Sequence, residues 1–340
     1  MNKALILGAA GQDSSYLSEF LLDKGYEVVG VKRRSTSSSM WRLANCIGRP
    51  NFSLIDGDVT DLSFLLRTLN AKHFTEVYNL AAQSQVGVSF DSPISTWEVT
   101  AQGAMNVLEA VRMSTSRPKV YQASSSEMYG DSYSSTYPCC GWNMMHQAGE
   151  SIIHRKWQDE NTKFNPQSPY AIAKLAAHHS VGVYRKAYNM FAVGGILFNH
   201  ESPRRGSSFV TRKITRWAES YQKGNKQRLK LGNLDAVRDW GYAGDYVEAM
   251  WLMLQQTTPK DYVISTNTTH TVKDFLLKVG DVCSLDVMSL VDINEDLMRP
   301  CEVPYLRGDN SLAKKELGWE PKIDFNRLVE FMVLKENGLD

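Results

Sequence analysis

The chain begins with an apolar run, Ala4-Leu5-Ile6-Leu7, that leads straight into a glycine turn and then into Leu17, Phe20 and Leu21 at helical spacing. That order predicts a buried strand, a tight turn and an amphipathic helix ending at Lys24-Gly25. The alternation repeats along the first half. Val28-Val29-Gly30-Val31 and Phe52-Ser53-Leu54-Ile55 predict a second and a third strand, with a helix marked by Phe64, Leu65 and Leu69 after them. Val77-Tyr78-Asn79-Leu80 predicts a fourth strand, residues 95–112 a long helix, and Val120-Tyr121-Gln122-Ala123 a fifth strand. A helix over 169–188 and a sixth strand over 191–197 follow. Apolar strands without a polar face, separated by helices, imply a parallel sheet covered on both sides, an α/β doubly wound architecture. Beyond Phe198 the pattern loosens into loops, short helices and basic residues. Helical spacing returns over 246–254, 272–279 and 312–317, and Tyr262-Val263-Ile264-Ser265 reads as a strand that rejoins the main sheet. Nothing resembling a linker separates the halves. The expected division is therefore interleaved: residues 1–197 and 242–270 form one domain, and 198–241 and 271–340 a smaller substrate-binding region.

Composition adds exclusions. A chain of 340 residues that is 43% hydrophobic and 22% charged is an ordinary globular sequence, long enough for one large or two joined domains. A net charge of +1 supplies no global field for nucleic acid or membrane. No apolar run reaches the length of a membrane span, and Met1-Asn2-Lys3 runs directly into the first strand without the longer apolar region of a signal peptide. Cys46, Cys139, Cys140, Cys283 and Cys301 include no CxxC pair, so they read as free thiols of a cytoplasmic protein and not as a metal site.

Candidate chemistry sits at strand ends. Gly8-Ala9-Ala10-Gly11-Gln12-Asp13-Ser14 follows the first strand and opens a helix. There the backbone can approach a pyrophosphate and the helix N-terminus can receive it, as in a Rossmann-type dinucleotide site. Two glycines alone fit any tight turn; the strand before and the helix after give them weight. Lys32-Arg33-Arg34-Ser35 ends the second strand, where an acidic side chain would bind the ribose of NAD. Guanidinium groups suit a 2′-phosphate, so Arg33, Arg34 and Ser35 favour NADP. Asp58-Val59 and Leu80-Ala81-Ala82-Gln83-Ser84 lie at the ends of the third and fourth strands, where ligands bind in open α/β sheets.

Tyr170 and Lys174 are one helical turn apart on one face. A lysine ammonium near a phenol favours the phenolate, which can act as a base toward a sugar hydroxyl. As a bare pattern YxxxK is common by chance, and a surface pair is its ordinary meaning. It gains weight from following a fifth strand that ends in Ser124-Ser125-Ser126-Glu127.

With these residues the chain resembles the extended short-chain dehydrogenase/reductase superfamily, and within it the GDP-mannose 4,6-dehydratase family. The matching stretches include Gly11-Gln12-Asp13, Asn79-Leu80-Ala81-Ala82-Gln83-Ser84, Ser126-Glu127-Met128-Tyr129-Gly130 and Ser168-Pro169-Tyr170. They continue through Asn199-His200-Glu201-Ser202-Pro203-Arg204-Arg205-Gly206 and Arg238-Asp239-Trp240-Gly241, so the likeness covers nearly the whole chain. It implies a redox-neutral cycle on a GDP-sugar. Tyr170 would take the 4-hydroxyl proton while C4 gives hydride to NADP⁺, and Ser125 would hold the 4-oxygen. Glu127 would remove the C5 proton made acidic by the new ketone, the C6 hydroxyl would leave as water, and the hydride would return to C6. By the same likeness, Gly8, Gly11, Gln12, Asp13, Leu80, Ala81, Ala82, Ser84, Tyr170, Lys174, His200 and Arg205 would serve the cofactor. Ser84, Ser125, Glu127, Asn199, Lys213, Arg238 and Arg299 would face the nucleotide sugar. A homodimer or homotetramer is also implied.

Three features depart from the family pattern: Ser14 in place of the third glycine, the loop Ser37-Ser38-Ser39-Met40-Trp41-Arg42, and a long stretch between Glu127 and Tyr170. The extra material lies within 131–160, includes Cys139-Cys140 and Met144-Met145-His146, and carries a helical pattern over 150–157. Three alternatives stay open: a dehydratase of another GDP-sugar such as a GDP-heptose, a 4-epimerase or 4-keto reductase that needs no C5 base, and a non-catalytic NADP sensor.

Overall fold

The computed structural model describes residues 1–34, 39–135 and 156–336. The chain runs through β1 (Lys3–Leu7), α1 (Gln12–Asp23), β2 (Glu27–Lys32), β3 (Phe52–Asp56), α2 (Leu62–Ala71), β4 (Glu76–Asn79), α3 (Val86–Asp91), α4 (Pro93–Trp97), α5 (Gly103–Met113) and β5 (Lys119–Ser125). There follow β6 (Ser134–Ser135), β7 (Lys156–Trp157), α6 (Pro169–Tyr188), β8 (Ala192–Leu197), β9 (Asn199–Glu201) and α7 (Val210–Gln222). The remainder is β10 (Leu229–Leu231), β11 (Val237–Arg238), β12 (Trp240–Tyr242), α8 (Ala243–Gln255), β13 (Tyr262–Ile264), β14 (His270–Thr271), α9 (Val272–Cys283), β15 (Val291–Ile293), α10 (Ser311–Leu317) and α11 (Phe325–Glu336).

Seven strands form one parallel sheet in the order β13-β8-β5-β4-β1-β2-β3. The order reverses between β1 and β4, which opens a crevice at the strands' carboxyl ends. Both faces are covered, which explains the strands' unbroken apolar runs. Ala4 and Ile6 enter a core with α1 and α8, whereas Leu5 and Leu7 enter the opposite core with α2 and α5. A third core joins α7, α9 and α11 through Ile214, Phe275, Leu276, Leu328 and Met332. Ala313, Leu317 and Trp319, from the far end of the chain, pack into the first core, and Trp319 Nε1 donates to the Asp245 carbonyl at 2.8 Å.

The helix expected over 95–112 starts earlier, at Pro93, and passes through a π turn at Glu98–Gln102 before α5. α7 lay hidden in what the sequence offers as loops and basic residues. Its inward positions are Thr211, Ile214, Thr215 and Ala218, and two threonines among four weaken the apolar signal. The helix expected over 150–157 is corrected where it is described: Lys156–Trp157 is a strand, antiparallel to Ser134–Ser135. The rest of that expectation, with Cys139, Cys140 and His146, lies outside the described residues.

Gly130 sits where this excursion begins. Its φ is +57°, and a Cβ there would come within 1.8 Å of the Asn165 carbonyl oxygen. Only glycine lets the outgoing chain pass so close to the returning one. Asn165 fastens the crossing by donating its backbone N–H to Met128 O at 3.0 Å and its side-chain amide to Asp131 at 2.6 Å.

Candidate active site

The turn after β1 is built for close approach. Gly8 has φ +83°, and a Cβ on it would lie 3.0 Å from the Ala81 backbone. Gly11 donates to Gly8 O at 2.9 Å and caps α1. The first amides of a helix have no intrahelical acceptor, and here they open on a cavity of about 800 Å³ lined by Gly11, Gln12, Asp13 and Ser14. Ser14 is buried and fits the place of a third glycine. The same cavity runs past Leu80, Ala82 and Ser84 to the ends of β5 and β9. A glycine cradle, free helix amides and a long cleft at the crevice fit a dinucleotide.

Not every expected cofactor residue reaches the cavity. Arg33 and Arg34 are exposed at the tip of β2, with Arg34 Nε 4.0 Å from Asp56. Ser35 lies outside the described residues. Asp58 turns back to accept from the backbone and hydroxyl of Thr60, each at 2.9 Å. Val59 is core, buried under α5, and its carbonyl accepts from Asn106 at 3.0 Å. Ala81 is not among the residues lining the cavity, and its backbone packs against Gly8. Among the cavity residues that the sequence did not mark is Arg42, which donates to Arg204 O at 2.7 Å and to Ala10 O at 3.2 Å, behind the glycine turn. It belongs to a loop with no motif, so no signal marked it.

Asp13 at an anion-binding helix end would repel a diphosphate, but His200 compensates it. His200 Nδ1 lies 2.7 Å from Phe198 O and Nε2 lies 2.8 Å from Asp13 Oδ2. A carbonyl and a carboxylate only accept, so both ring nitrogens carry protons and the side chain is an imidazolium. Burial works against that charge, yet the Asp13 carboxylate and its hydrogen bond hold the His200 pKa above its ordinary value. Burial likewise pushes Asp13 up, but His200, the Gln12 amide and Arg205 bring it down to about 2. Tyr246 of α8 stacks on the imidazolium with centroids 4.7 Å apart. A histidine raised by folding stabilises the protein fully below its unfolded value of 6.5, and that contribution is lost as pH rises through the raised value. His200→Gln should therefore lower the melting temperature at pH about 6 and flatten the alkaline limb of the stability profile. An unchanged slope in thermal melts across that limb would contradict the imidazolium.

The end of β5 and the start of α6 meet at the centre. Ser168 caps α6 by accepting from Ala171 N at 3.1 Å, and Pro169 fixes the first turn, so Tyr170 and then Lys174 point at the strand end. Ser125, Glu127, Tyr170 and Lys174 are all buried and all line the cavity. The Ser125 hydroxyl accepts from Glu127 N at 3.3 Å, and the Ser125 side chain acts to lower the pKa of the Tyr170 phenol. Lys174 Nζ donates to Ala123 O at 2.7 Å and lies 5.8 Å from the Tyr170 ring. The expected lowering of the phenol by Lys174 is not met in the protein alone. Burial raises Tyr170 to about 12, against the hydrogen bond from Ser125, and burial pulls Lys174 itself down to about 8. His178, on the same helix, lies 2.9 Å from the Ser124 hydroxyl and is structural.

Charged groups gather beyond Glu127. Arg299 Nη1 lies 3.3 Å from Glu127 Oε1, and Arg238 Nη2 lies 3.1 Å from Glu302 Oε1. Asn199 lines the cavity, and its buried Oδ1 has no hydrogen-bond partner among the described residues. Lys213 also lines it, its pKa lowered by burial. Arg205 pairs with Glu201 at 3.2 Å and covers the Phe209 ring at 3.7 Å. One cavity thus brings together a glycine-turn helix end, a Ser–Tyr–Lys group, a carboxylate at the strand end, and Arg238 and Arg299 beyond it.

The GDP-mannose 4,6 dehydratase family matches residues 5–138 and 151–332. GDP-mannose 4,6 dehydratase 1 of Arabidopsis thaliana is 49% identical over 340 residues, covering 97% of this chain and 88% of the relative. The Homo sapiens GDP-mannose 4,6 dehydratase is 43% identical over 357 residues, covering 98% and 90%. Among solved structures, a dTDP-glucose 4,6-dehydratase from Streptomyces venezuelae with NAD bound superposes with a TM-score of 0.83 at 21% identity over 98% of this chain and 97% of that one. A Thermus thermophilus UDP-glucose 4-epimerase complexed with NAD gives 0.80 at 25% identity, over 99% of both. On the family match and these identities, the chain belongs to the GDP-mannose 4,6-dehydratase family.

Proposed function

We propose that the chain is a hydro-lyase that converts GDP-mannose to GDP-4-keto-6-deoxymannose with loss of water, using NADP. The observation that carries this reading is Glu127, a buried residue whose backbone N–H donates to the Ser125 hydroxyl and whose side chain lines the same cavity as Tyr170. A reductase or epimerase needs the phenol but no base at C5. Glycine-turn amides and Lys174 would hold the cofactor. The oxidised nicotinamide supplies, when bound, a hydride acceptor for C4 and a positive charge beside the phenol. Tyr170 takes the C4 hydroxyl proton while Ser125 holds that oxygen. Glu127 then takes the C5 proton and delivers a proton to the departing C6 hydroxyl, which leaves as water; return of the hydride taken from C4 to C6, with a proton restored to C5, would complete the redox-neutral cycle. Arg238 and Arg299 hold the diphosphate. Incubation with NADP⁺ and GDP-mannose should give a sugar lighter by one water; no change across a panel of nucleotide sugars would sink the proposal.

The choice of NADP rests on Arg33 and Arg34, which stand free of the cavity at the tip of β2 where a 2′-phosphate would project. Replacing both by alanine should weaken NADP⁺ binding roughly 10- to 100-fold in a calorimetric titration and leave NAD⁺ little changed. Equal weakening of both cofactors would remove these residues from the selection. We propose the interleaved domain division of the sequence reading, with 313–319 attached to the first domain by Trp319. A cytoplasmic homo-oligomer is part of the same proposal. Free Cys46, Cys283 and Cys301 support the compartment, and exposed Ile94, Trp97, Ile172 and Val183 on the adjoining α4 and α6 support self-association. Among the described residues, no helix is long and apolar enough to cross a membrane.

A further inference from the structure

Arg299 has two claims on it. Its Nη1 lies 3.3 Å from Glu127 Oε1 and 4.0 Å from Glu302 Oε1. Both distances are longer than those of a tight guanidinium–carboxylate fork. Its neighbour Arg238 is differently placed: buried, bonded to its own Val237 carbonyl at 2.9 Å, and paired with Glu302 at 3.1 Å. Arg299 is 31% exposed and comes from the loop after β15 that lines the cavity, so of the two arginines it is the one free to change partner. A substrate diphosphate carries more negative charge than one carboxylate and offers oxygens in the fork geometry that a guanidinium matches.

We propose that Arg299 is an exchangeable partner of the base: it restrains Glu127 in the empty site and releases it when a nucleotide diphosphate arrives. This rests on the reading of Arg299 as a diphosphate ligand. Seating the diphosphate removes the ion pair from Glu127, so the carboxylate becomes available at C5 when a sugar is correctly anchored. Binding energy at the nucleotide end is thereby used at the reacting carbons. The two events are linked reciprocally: whatever Arg299 gains from Glu127, the diphosphate must overcome.

GDP without a sugar tests the exchange, because it engages Arg299 and does not reach C5. Titration calorimetry on the cofactor-loaded enzyme would compare wild type, Glu127→Gln, Arg299→Met and the double variant. Glu127→Gln should bind GDP roughly 3- to 10-fold more tightly, Arg299→Met should bind it more weakly, and in the Arg299→Met background Glu127→Gln should bring no gain. If Arg299→Met weakens binding but Glu127→Gln does not tighten it, the exchange is wrong and the diphosphate assignment stands. A gain that persists in the Arg299→Met background would mean a general field effect of the lost charge, which also overturns the exchange. Unchanged GDP binding by Arg299→Met would overturn the assignment itself, and the exchange with it. Arg299→Gln substitutes for Arg299→Met if the latter fails to fold.

Discussion

Glu127→Gln should lower turnover of GDP-mannose roughly 100- to 10,000-fold and stop the reaction after oxidation at C4. The amide keeps the size of the carboxylate but cannot take the C5 proton. Ser125, Tyr170 and Lys174 remain in place, because Glu127 contributes its backbone N–H and not its side chain to their network. In a single-turnover mixture the expected species is a 4-keto sugar two hydrogens lighter than the substrate, with its C6 oxygen retained. Water loss at an undiminished rate would show that the base at C5 is another group.

Tyr170→Phe should produce a loss of similar size but earlier, with neither ketone nor dehydrated sugar formed. The phenol is held near 12 by burial, so it becomes a base only with positive charge alongside. Lys174, pulled down to about 8, loses its charge as pH rises through that value. The wild-type rate should therefore turn down on the alkaline side above about 8, even though the phenol itself would ionise more readily there. A rate that climbs steadily to higher pH would mean that Lys174 need not be charged. Formation of the 4-keto sugar by Tyr170→Phe at near wild-type rate would remove Tyr170 from the proton transfer.

Strands β1 and β2 were legible because residues 4–7 and 28–31 are buried on one face of the sheet or the other, which leaves an unbroken apolar run. α7 was not, because threonines serve its buried face where aliphatics would have shown the period. The convergence of Tyr170, Lys174 and Glu127 on one cavity was legible because each sits at a fixed offset from an element boundary. The Asp13–His200 pair was not, because it joins residues 187 positions apart and depends on where β9 meets α1. Asp58 and Val59 stand at a strand end as the sequence implied, but the Asp58 carboxylate accepts from Thr60, Val59 packs in the core, and neither is among the residues lining the cavity. Arg42 was silent because a side chain that ties two backbone carbonyls leaves no trace in spacing.

The crossing at Gly130 and Asn165 has a consequence for how this enzyme can diversify. Departing and returning chains are clamped together before β6 and after β7, so the catalytic register of Glu127 and Tyr170 is set on the near side of the clamp. Loop-closure entropy makes each doubling of a connection's length cost only about 0.6 kcal/mol. The register of Glu127 and Tyr170 is thus independent of chain added beyond the clamp, so a lineage can add, trim or exchange residues there without renegotiating the chemistry.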